Sequence, residues 1–170
     1  MDRAYRCVVT GRDTEGKSVV VRDTMVRTAA LGSADFRTTT SSPASLSRLW
    51  SPSGAFRLEP PAGGTTFRFF EIPPQEPNLT AEEAERAAAA AFSAAGASHC
   101  RVDTRRHPMM HTTSTPDYVV VLRGRVTLLL DQAEVALSPF DVVVQRGTNH
   151  YWLNSGPEPA LLMGALLGAR

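Results

Sequence analysis

The fold is decided by residues 118–167, YVVVLRGRVTLLLDQAEVALSPFDVVVQRGTNHYWLNSGPEPALLMGALL. Short β-branched and aliphatic runs alternate here with glycine, proline, asparagine, aspartate and serine, a pattern typical of strands joined by tight turns. Closely spaced strands with short links predict an antiparallel sandwich or barrel. The predicted strands are Tyr118–Leu122, Val126–Leu130, Glu134–Leu137, Val142–Gln145, His150–Leu153 and Ala160–Leu167.

The chain before this stretch predicts more β-structure and one helix. Tyr5–Thr10 and Ser18–Val21 are two strands of a hairpin, and Thr66–Ile72 is a strand that the following prolines end. Thr80 with glutamate three residues later forms a capping box, so a helix starts there and continues to Gly96. Segment 38–66, rich in Ser, Thr, Pro and Gly, predicts a long irregular lid, linker or dimer arm.

Length and composition restrict the function classes. A chain of 170 residues fits one structural domain, in which 1–98 supply strands, an arm and a helix packed on a barrel formed by 99–170. The net charge of +1 gives no reason to bind nucleic acid or an anionic membrane. No apolar run approaches the roughly 20 residues that span a bilayer, and the first residues lack the apolar core of a secretory signal. We expect a cytoplasmic protein with a small-molecule partner.

Residues 11–18, GRDTEGKS, match the phosphate-loop pattern of two glycines, a lysine and a hydroxyl residue. A phosphate loop must open a helix, whose positive end meets the phosphates. Here Ser18 leads into three valines, which favour a strand, and Asp13 and Glu15 would bring negative charge to the phosphates. The pattern is therefore interpreted as a hairpin turn.

Three side chains stand out as candidates for chemistry: His111, Asp117 and His150. Two histidines and a carboxylate can hold an open Fe- or Zn-type site, or can act as proton-transfer groups without a metal. Alternate residues of a strand share a face, so Asp117 groups with Val119 and Val121, and His150 groups with Trp152. Tyr118 points the other way, and His99 and His107 are interpreted as structural.

Residues 107–167 resemble a cupin, a small antiparallel jelly-roll barrel. The first cupin motif is matched by His111, Thr113, Asp117 and Gly124, and the second by 139–150 followed by Asn154. Thr113 stands where the family has its second metal histidine, and Asp117 where it has glutamate. In the second motif the departures are Phe140 for the turn glycine and Gln145 for proline.

The resemblance extends toward the N-terminus and implies an overall architecture. The sequences RCVVTG (6–11), GKSVV (16–20) and GGTTFR (63–68) resemble a single-domain cupin subfamily found among catabolic and natural-product genes. We accordingly expect an all-β protein, a cupin jelly-roll barrel with N-terminal strands and one peripheral α-helix. The resemblance also implies a homodimer.

The expected function is a small-molecule tailoring enzyme of lyase or isomerase type, performing decarboxylation, dehydration or cyclisation. His111, Asp117 and His150 would be its catalytic groups, or would bind one divalent ion of Fe, Zn, Ni or Mn. Two alternatives stay open, an Fe(II)-dependent dioxygenase and a barrel that only binds a ligand. The expected substrate-binding residues are Val119, Val121, Trp152, Arg146, Thr113 and Tyr118.

Overall fold

A computed structural model describes residues 4–27, 57–75 and 78–168. Most of the irregular segment predicted at 38–66 lies outside these ranges. The described part is rich in β-structure and contains one α-helix, in agreement with the predicted class. Every predicted strand is present, and the largest difference is that the second strand continues beyond Val21 to Arg27. The elements are β1 (Ala4–Arg12), β2 (Ser18–Arg27), β3 (Thr65–Ile72), α1 (Ala81–Ala94), a short 3-10 helix (Ser98–Cys100), β4 (Pro116–Arg123), β5 (Val126–Leu130), β6 (Glu134–Leu137), β7 (Val142–Arg146), β8 (His150–Leu153) and β9 (Ala160–Leu167).

The described strands form two sheets, one of six strands in the order β2-β1-β7-β4-β9-β3 and one of three in the order β6-β5-β8. Their pairings are antiparallel, except that β1 lies parallel to β7. The ladders of these strands do not join the two sheets into a closed barrel. The N-terminal strands were predicted to pack on a barrel. Instead β1 and β3 complete the large sheet, because their backbone groups pair with β7 and β9.

One apolar core lies between the sheets. Its fully buried members come from both of them, for example Val121 and Leu162 from the large sheet and Leu128 and Leu137 from the small one. Alternation explains this sharing, because most of the inward positions of β4, β6 and β9 are apolar and the intervening positions are more exposed.

The hairpin predicted at residues 11–18 is confirmed, since β1 and β2 pair antiparallel around it. Asp13 organises the turn: its side-chain oxygen accepts the amides of Glu15 and Lys17, both at 2.9 Å. The amides of Glu15 and Lys17, which a phosphate would need as donors, thus donate to a carboxylate instead. This local chemistry explains why a sequence with the phosphate-loop letters folds as a β-turn.

Helix α1 begins as predicted. The Thr80 side chain accepts the amide of Glu83, and the Glu83 carboxylate accepts the amide of Thr80. Phe92 on its buried face packs in a second cluster with Cys100, against Leu58 and Met109. No helix in the described ranges has the length and apolar character to cross a membrane.

Phe140 occupies a left-handed backbone conformation, with φ of 73°. The second cupin motif has a turn glycine at this position. The turn before β7 keeps the conformation that glycine adopts freely, although a residue with a Cβ atom is strained there by about 1–2 kcal/mol. The ring itself is exposed, so little packing compensates for this strain.

Candidate active site

A cavity of about 190 Å³ brings together most of the predicted site residues. His111, Asp117 and His150 line it together with Thr113. The apolar part of its wall includes the predicted Val119 and Trp152. The other lining residues are Leu58, Arg68, Phe70, Ile72, Met109, Gln145, Tyr151 and Leu166.

The two histidines are direct neighbours because their backbones pair. His111 lies outside the named strands, but its amide donates to the His150 carbonyl at 3.0 Å and the reverse bond is 2.9 Å. The ring centroids are therefore only 4.4 Å apart, with the ring planes inclined at 46°. Phe92 of helix α1 packs on the other side of His111, at 5.2 Å between centroids.

Backbone carbonyls fix the tautomer of both rings. Nδ1 of His111 lies 3.0 Å from the carbonyl oxygen of Met109, and Nδ1 of His150 lies 2.9 Å from that of Thr148. A carbonyl oxygen can only accept, so each Nδ1 carries the proton and each Nε2 keeps its lone pair. The site thus presents two neighbouring imidazole nitrogens that can accept a proton or bind a cation.

Gln145 helps to hold the backbone carbonyl that orients His150. Its side-chain amide donates to the Thr148 carbonyl at 2.9 Å, the same oxygen that receives the His150 proton. The Gln145 side chain is fully buried and also contacts Thr10 of β1. Gln145 replaces the proline of the cupin pattern, and here it helps to hold the residue that orients His150.

Burial keeps both histidines neutral. Desolvation and the neighbouring His111 together lower the pKa of His150 to about 3, although backbone hydrogen bonds act to raise it. Desolvation also lowers the pKa of His111, partly offset by its bond to Met109. At neutral pH both rings are therefore unprotonated.

Asp117 shows the opposite effect. Its side chain is buried on β4, and its Oδ1 has no hydrogen-bond partner among the described residues. Desolvation raises its pKa to about 7, although a hydrogen bond from Thr115 and the charge of Arg68 lower it in part. The carboxyl group is thus substantially protonated near neutral pH and can donate a proton.

The metal-binding alternative for His111, Asp117 and His150 finds no compact donor set in the described residues. In the described ranges, one group of three His, Cys, Asp or Glu side chains has its donor atoms within 4.8 Å of one another, and it consists of Glu59, His99 and Cys100. His111 and His150 are adjacent, but Asp117 does not complete a set of that compactness with them. The residues of the cavity therefore do not fit a preformed His-Asp-His metal centre.

Three predicted substrate-binding residues lie outside the cavity lining. Val121 shares a face with Asp117 but sits farther along β4, where it packs in the core between the sheets. Tyr118 is on the opposite face of β4, as alternation requires, and its hydroxyl is buried without a partner in the described structure. Arg146 is exposed and borders a separate depression beside Ser114 and Gly147, because it ends β7 on the outer side.

Arg68 and Tyr151 line the cavity but were not predicted to do so. Arg68 could have been found from alternation: in the strand Thr65–Ile72 it shares its face with Phe70 and Ile72, so a cation stands among apolar inward positions. Tyr151 gives no such signal. Its position in β8 alternates away from His150, so alternation would place it off the cavity face, yet it lines the cavity beside the start of β8.

Comparisons with known proteins place short parts of the chain beside fungal biosynthetic proteins. The chain is 53% identical over 47 residues to Phomopsin biosynthesis cluster proteins C' and D of Diaporthe leptostromiformis. It is 48% identical over 48 residues to Oryzines biosynthesis cluster protein J of Aspergillus oryzae. These matches cover 27–28% of this chain and span about a quarter of the length of the curated relatives. No family model matches the chain.

Proposed function

We propose that this chain is a cupin-type enzyme of natural-product biosynthesis that carries out lyase or isomerase chemistry on a small apolar carbonyl compound. The observation that carries the proposal is the charge state of the cavity. A carboxyl group that keeps its proton up to about pH 7 and two unprotonated imidazoles line one apolar space. Titratable groups whose environments move their pKa values apart are the usual basis of paired acid and base roles.

The roles follow from these protonation states. Asp117 donates its proton to the carbonyl oxygen of the substrate, while Nε2 of His111 accepts a proton from the carbon next to the carbonyl. The product is the neutral enol, with Asp117 ionised and His111 protonated. Protonated His111 then gives its proton to a different carbon while the enol hydroxyl returns its proton to Asp117, which gives isomerisation. For dehydration, protonated His111 gives its proton to a leaving hydroxyl group, which departs as water while the enol hydroxyl returns its proton to Asp117. Both reactions are redox-neutral.

His111 is a better base than His150. His150 is the more deeply buried ring, and protonating it beside a second imidazole is the less favourable step. Its unprotonated Nε2 is suited to accept a hydrogen bond from a substrate hydroxyl group. Gln145 and the Thr148 carbonyl hold it in that tautomer.

The cavity limits the size and polarity of the substrate. At about 190 Å³ it is below the roughly 300–1,000 Å³ of pockets for drug-sized ligands. Much of its wall is made of apolar side chains, including Phe70, Met109 and Trp152. Arg68 adds a positive charge to the same wall, which favours a substrate with a carbonyl or acidic oxygen.

Two further observations support the context of the proposal. The two sheets enclose a cavity in which His111 and His150 occupy the histidine positions of the cupin motifs. The partial relatives carry names from two fungal biosynthesis clusters, which favours a pathway for a specialised metabolite. The dioxygenase alternative needs an iron centre, for which His111, Asp117 and His150 do not form a compact donor set in the described residues.

The test is hydrogen exchange at the carbon next to a carbonyl. Phenylacetone, benzylacetone and phenylpyruvate serve as probes in deuterium oxide, followed by proton NMR with metal chelator present. We expect the wild-type protein to accelerate exchange of at least one probe, with a rate that falls above pH 7 as Asp117 ionises. Asp117→Asn should lose about 100-fold or more of this rate, the contribution of a general acid.

Arg125→Ala is the matched control, since Arg125 lies on the exposed turn between β4 and β5 and should leave exchange unchanged. Equal rates in the wild type and in Asp117→Asn would overturn the proposed role of this carboxyl group. Saturable binding of the probes without any exchange would overturn catalysis in favour of a ligand-binding protein.

A further inference from the structure

Outside the cavity, three side chains of metal-binding type converge on one point. Nε2 of His99 lies 2.8 Å from Oε2 of Glu59 and 3.6 Å from Sγ of Cys100. All three donor atoms lie within 4.8 Å of one another. We call these three residues the Glu59 cluster. They come from the segment before β3 and from the 3-10 helix after α1.

We propose that the Glu59 cluster is a binding site for a zinc-like divalent cation, held by one thiolate, one imidazole and one carboxylate, with a fourth position open to water. This inference is independent of the proposed reaction in the cavity. Thiolate sulfur, imidazole nitrogen and carboxylate oxygen are the donors that Zn²⁺ takes in proteins.

The spacing of the donors suits tetrahedral coordination. With Zn–N and Zn–O distances of about 2.0 Å and a Zn–S distance of about 2.3 Å, neighbouring donors in a tetrahedron are roughly 3.3–3.5 Å apart. The observed separation of Nε2 from Sγ is 3.6 Å, close to the upper end of this range. The separation of Nε2 from Oε2, 2.8 Å, is that of a direct hydrogen bond and needs to open by only about half an ångström.

The surroundings orient the ligands and leave a path for the ion. The amide of Ser114 donates to Oε1 of Glu59 at 3.1 Å, which fixes the carboxylate and leaves Oε2 for a cation. Cys100 is buried among Phe92, Ala95 and Ala97, so the sulfur is rigidly placed. The His99 side chain is 67% exposed, which opens one side of the cluster to solvent.

A cation here would tie together parts of the chain that border the cavity. Leu58, next to Glu59, lines the cavity, and Met109 packs both on the cavity and on the cluster that contains Cys100. The site would therefore brace one wall of the active-site cavity without contacting the substrate.

The experiment uses Co²⁺ as a spectroscopic probe and Zn²⁺ for affinity, on the full chain prepared without a histidine tag. A cobalt ion bound by a thiolate gives a sulfur-to-cobalt charge-transfer band in the near ultraviolet. We expect this band, with one equivalent of metal, in the wild type. Cys100→Ser should lose it, whereas Cys7→Ser, the matched change at the other buried free cysteine, should keep it.

His99→Gln covers the case in which Cys100→Ser fails to fold, because His99 is largely exposed. Competition with a chromophoric chelator should show zinc affinity reduced by about 100-fold or more, beyond the 10–100-fold typical of losing an outer-shell partner. His107→Gln should bind zinc as the wild type does. A wild-type protein without the charge-transfer band, or with zinc affinity equal to that of His99→Gln, would overturn the proposal. So would metal binding that is abolished by His150→Gln.

Discussion

Asp117 in the cavity and Glu59 beside the 3-10 helix are both carboxyl groups withdrawn from water, yet their pKa values move in opposite directions. Burial acts to raise both. At Glu59 the hydrogen bonds from the Ser114 amide and the His99 ring outweigh burial, so its pKa ends below the usual value. At Asp117 one oxygen has no partner in the described structure, and the pKa rises to about 7. The supply of hydrogen-bond donors, rather than burial alone, decides which carboxyl group keeps its proton.

Asp117→Asn gives the largest expected effect on stability. The folded pKa of about 7 lies above the unfolded value of 3.8, so the folded state holds this proton more tightly and loses stability as pH rises between these values. Relative to the variant, the wild type should lose about 4 kcal/mol of unfolding free energy between pH 4 and pH 8. Urea unfolding of both proteins across this range measures the difference. Parallel pH curves would show that Asp117 is ionised in the folded protein.

His150→Gln tests the histidine side of the cavity, where we expect stability to depend on pH in the opposite direction. The folded pKa of about 3 lies below the unfolded value of 6.5, so stability is complete above pH 6.5 and is lost as pH falls toward 3. Relative to the variant, the wild type should lose about 3 kcal/mol between pH 7 and pH 4. His107→Gln is the matched control, because the His107 ring is only partly buried, against Tyr151, and should give a smaller pH-dependent difference.

For Glu59→Gln we expect a pH dependence opposite to that for Asp117→Asn, because the stability of the wild type relative to the variant should fall as pH falls. With metal chelator present, the variant should be less stable than the wild type by about 1 kcal/mol at pH 7, because hydrogen bonds to the ionised carboxylate weaken. The folded pKa is lowered, so this advantage of the wild type should disappear as pH falls through that pKa. The same urea titrations at pH 7 and pH 3 decide the point. A variant more stable than the wild type at pH 7 would remove the contrast between the two carboxyl groups.

Glu83→Gln should have the smallest effect on stability, and it extends the comparison to a carboxylate on the protein surface. Hydrogen bonds from the Thr80 side chain and amide lower the pKa of Glu83, and the group is fully exposed. We expect a slight decrease in thermal stability at pH 7 that vanishes at pH 3, smaller than for Glu59→Gln because solvent replaces the lost bonds. A decrease as large as that of Glu59→Gln would mean that burial adds nothing to the value of the hydrogen bonds.

Much of the fold was accessible from the sequence because its signals are local. Runs of β-branched and aliphatic residues, separated by glycines, prolines and other turn residues, predict each strand. The helix start follows from Thr80 and Glu83 alone, since both partners lie within one turn. The parallel pairing of β1 with β7 could not be predicted, because it joins residues more than 130 positions apart and leaves no pattern in either strand.

The candidate site was predictable in part. The cupin resemblance and alternation singled out His111, Asp117 and His150, which do line one cavity. Alternation fixes only which face a residue is on, so it could not separate Val119, which lines the cavity as well as the core, from Val121, which packs in the core away from the cavity. Glu59 carried no signal at all, since it lies in an irregular stretch and meets His99 only through the path of the chain.

The sequence by itself determined the strands, the turns, the capped helix and which histidines and carboxyl group belong to the site, because those depend on neighbours along the chain. Tertiary structure alone decided their chemistry. Folding buried Asp117 without a partner for one oxygen among the described residues, and the backbone pairing of His111 with His150 brought the two imidazoles 4.4 Å apart. The path of the segment before β3 past Ser114 and the 3-10 helix supplied hydrogen-bond donors to Glu59 and placed it near a thiol. Charge state depends on solvation and on partners from distant parts of the chain, and these exist only once the chain is folded.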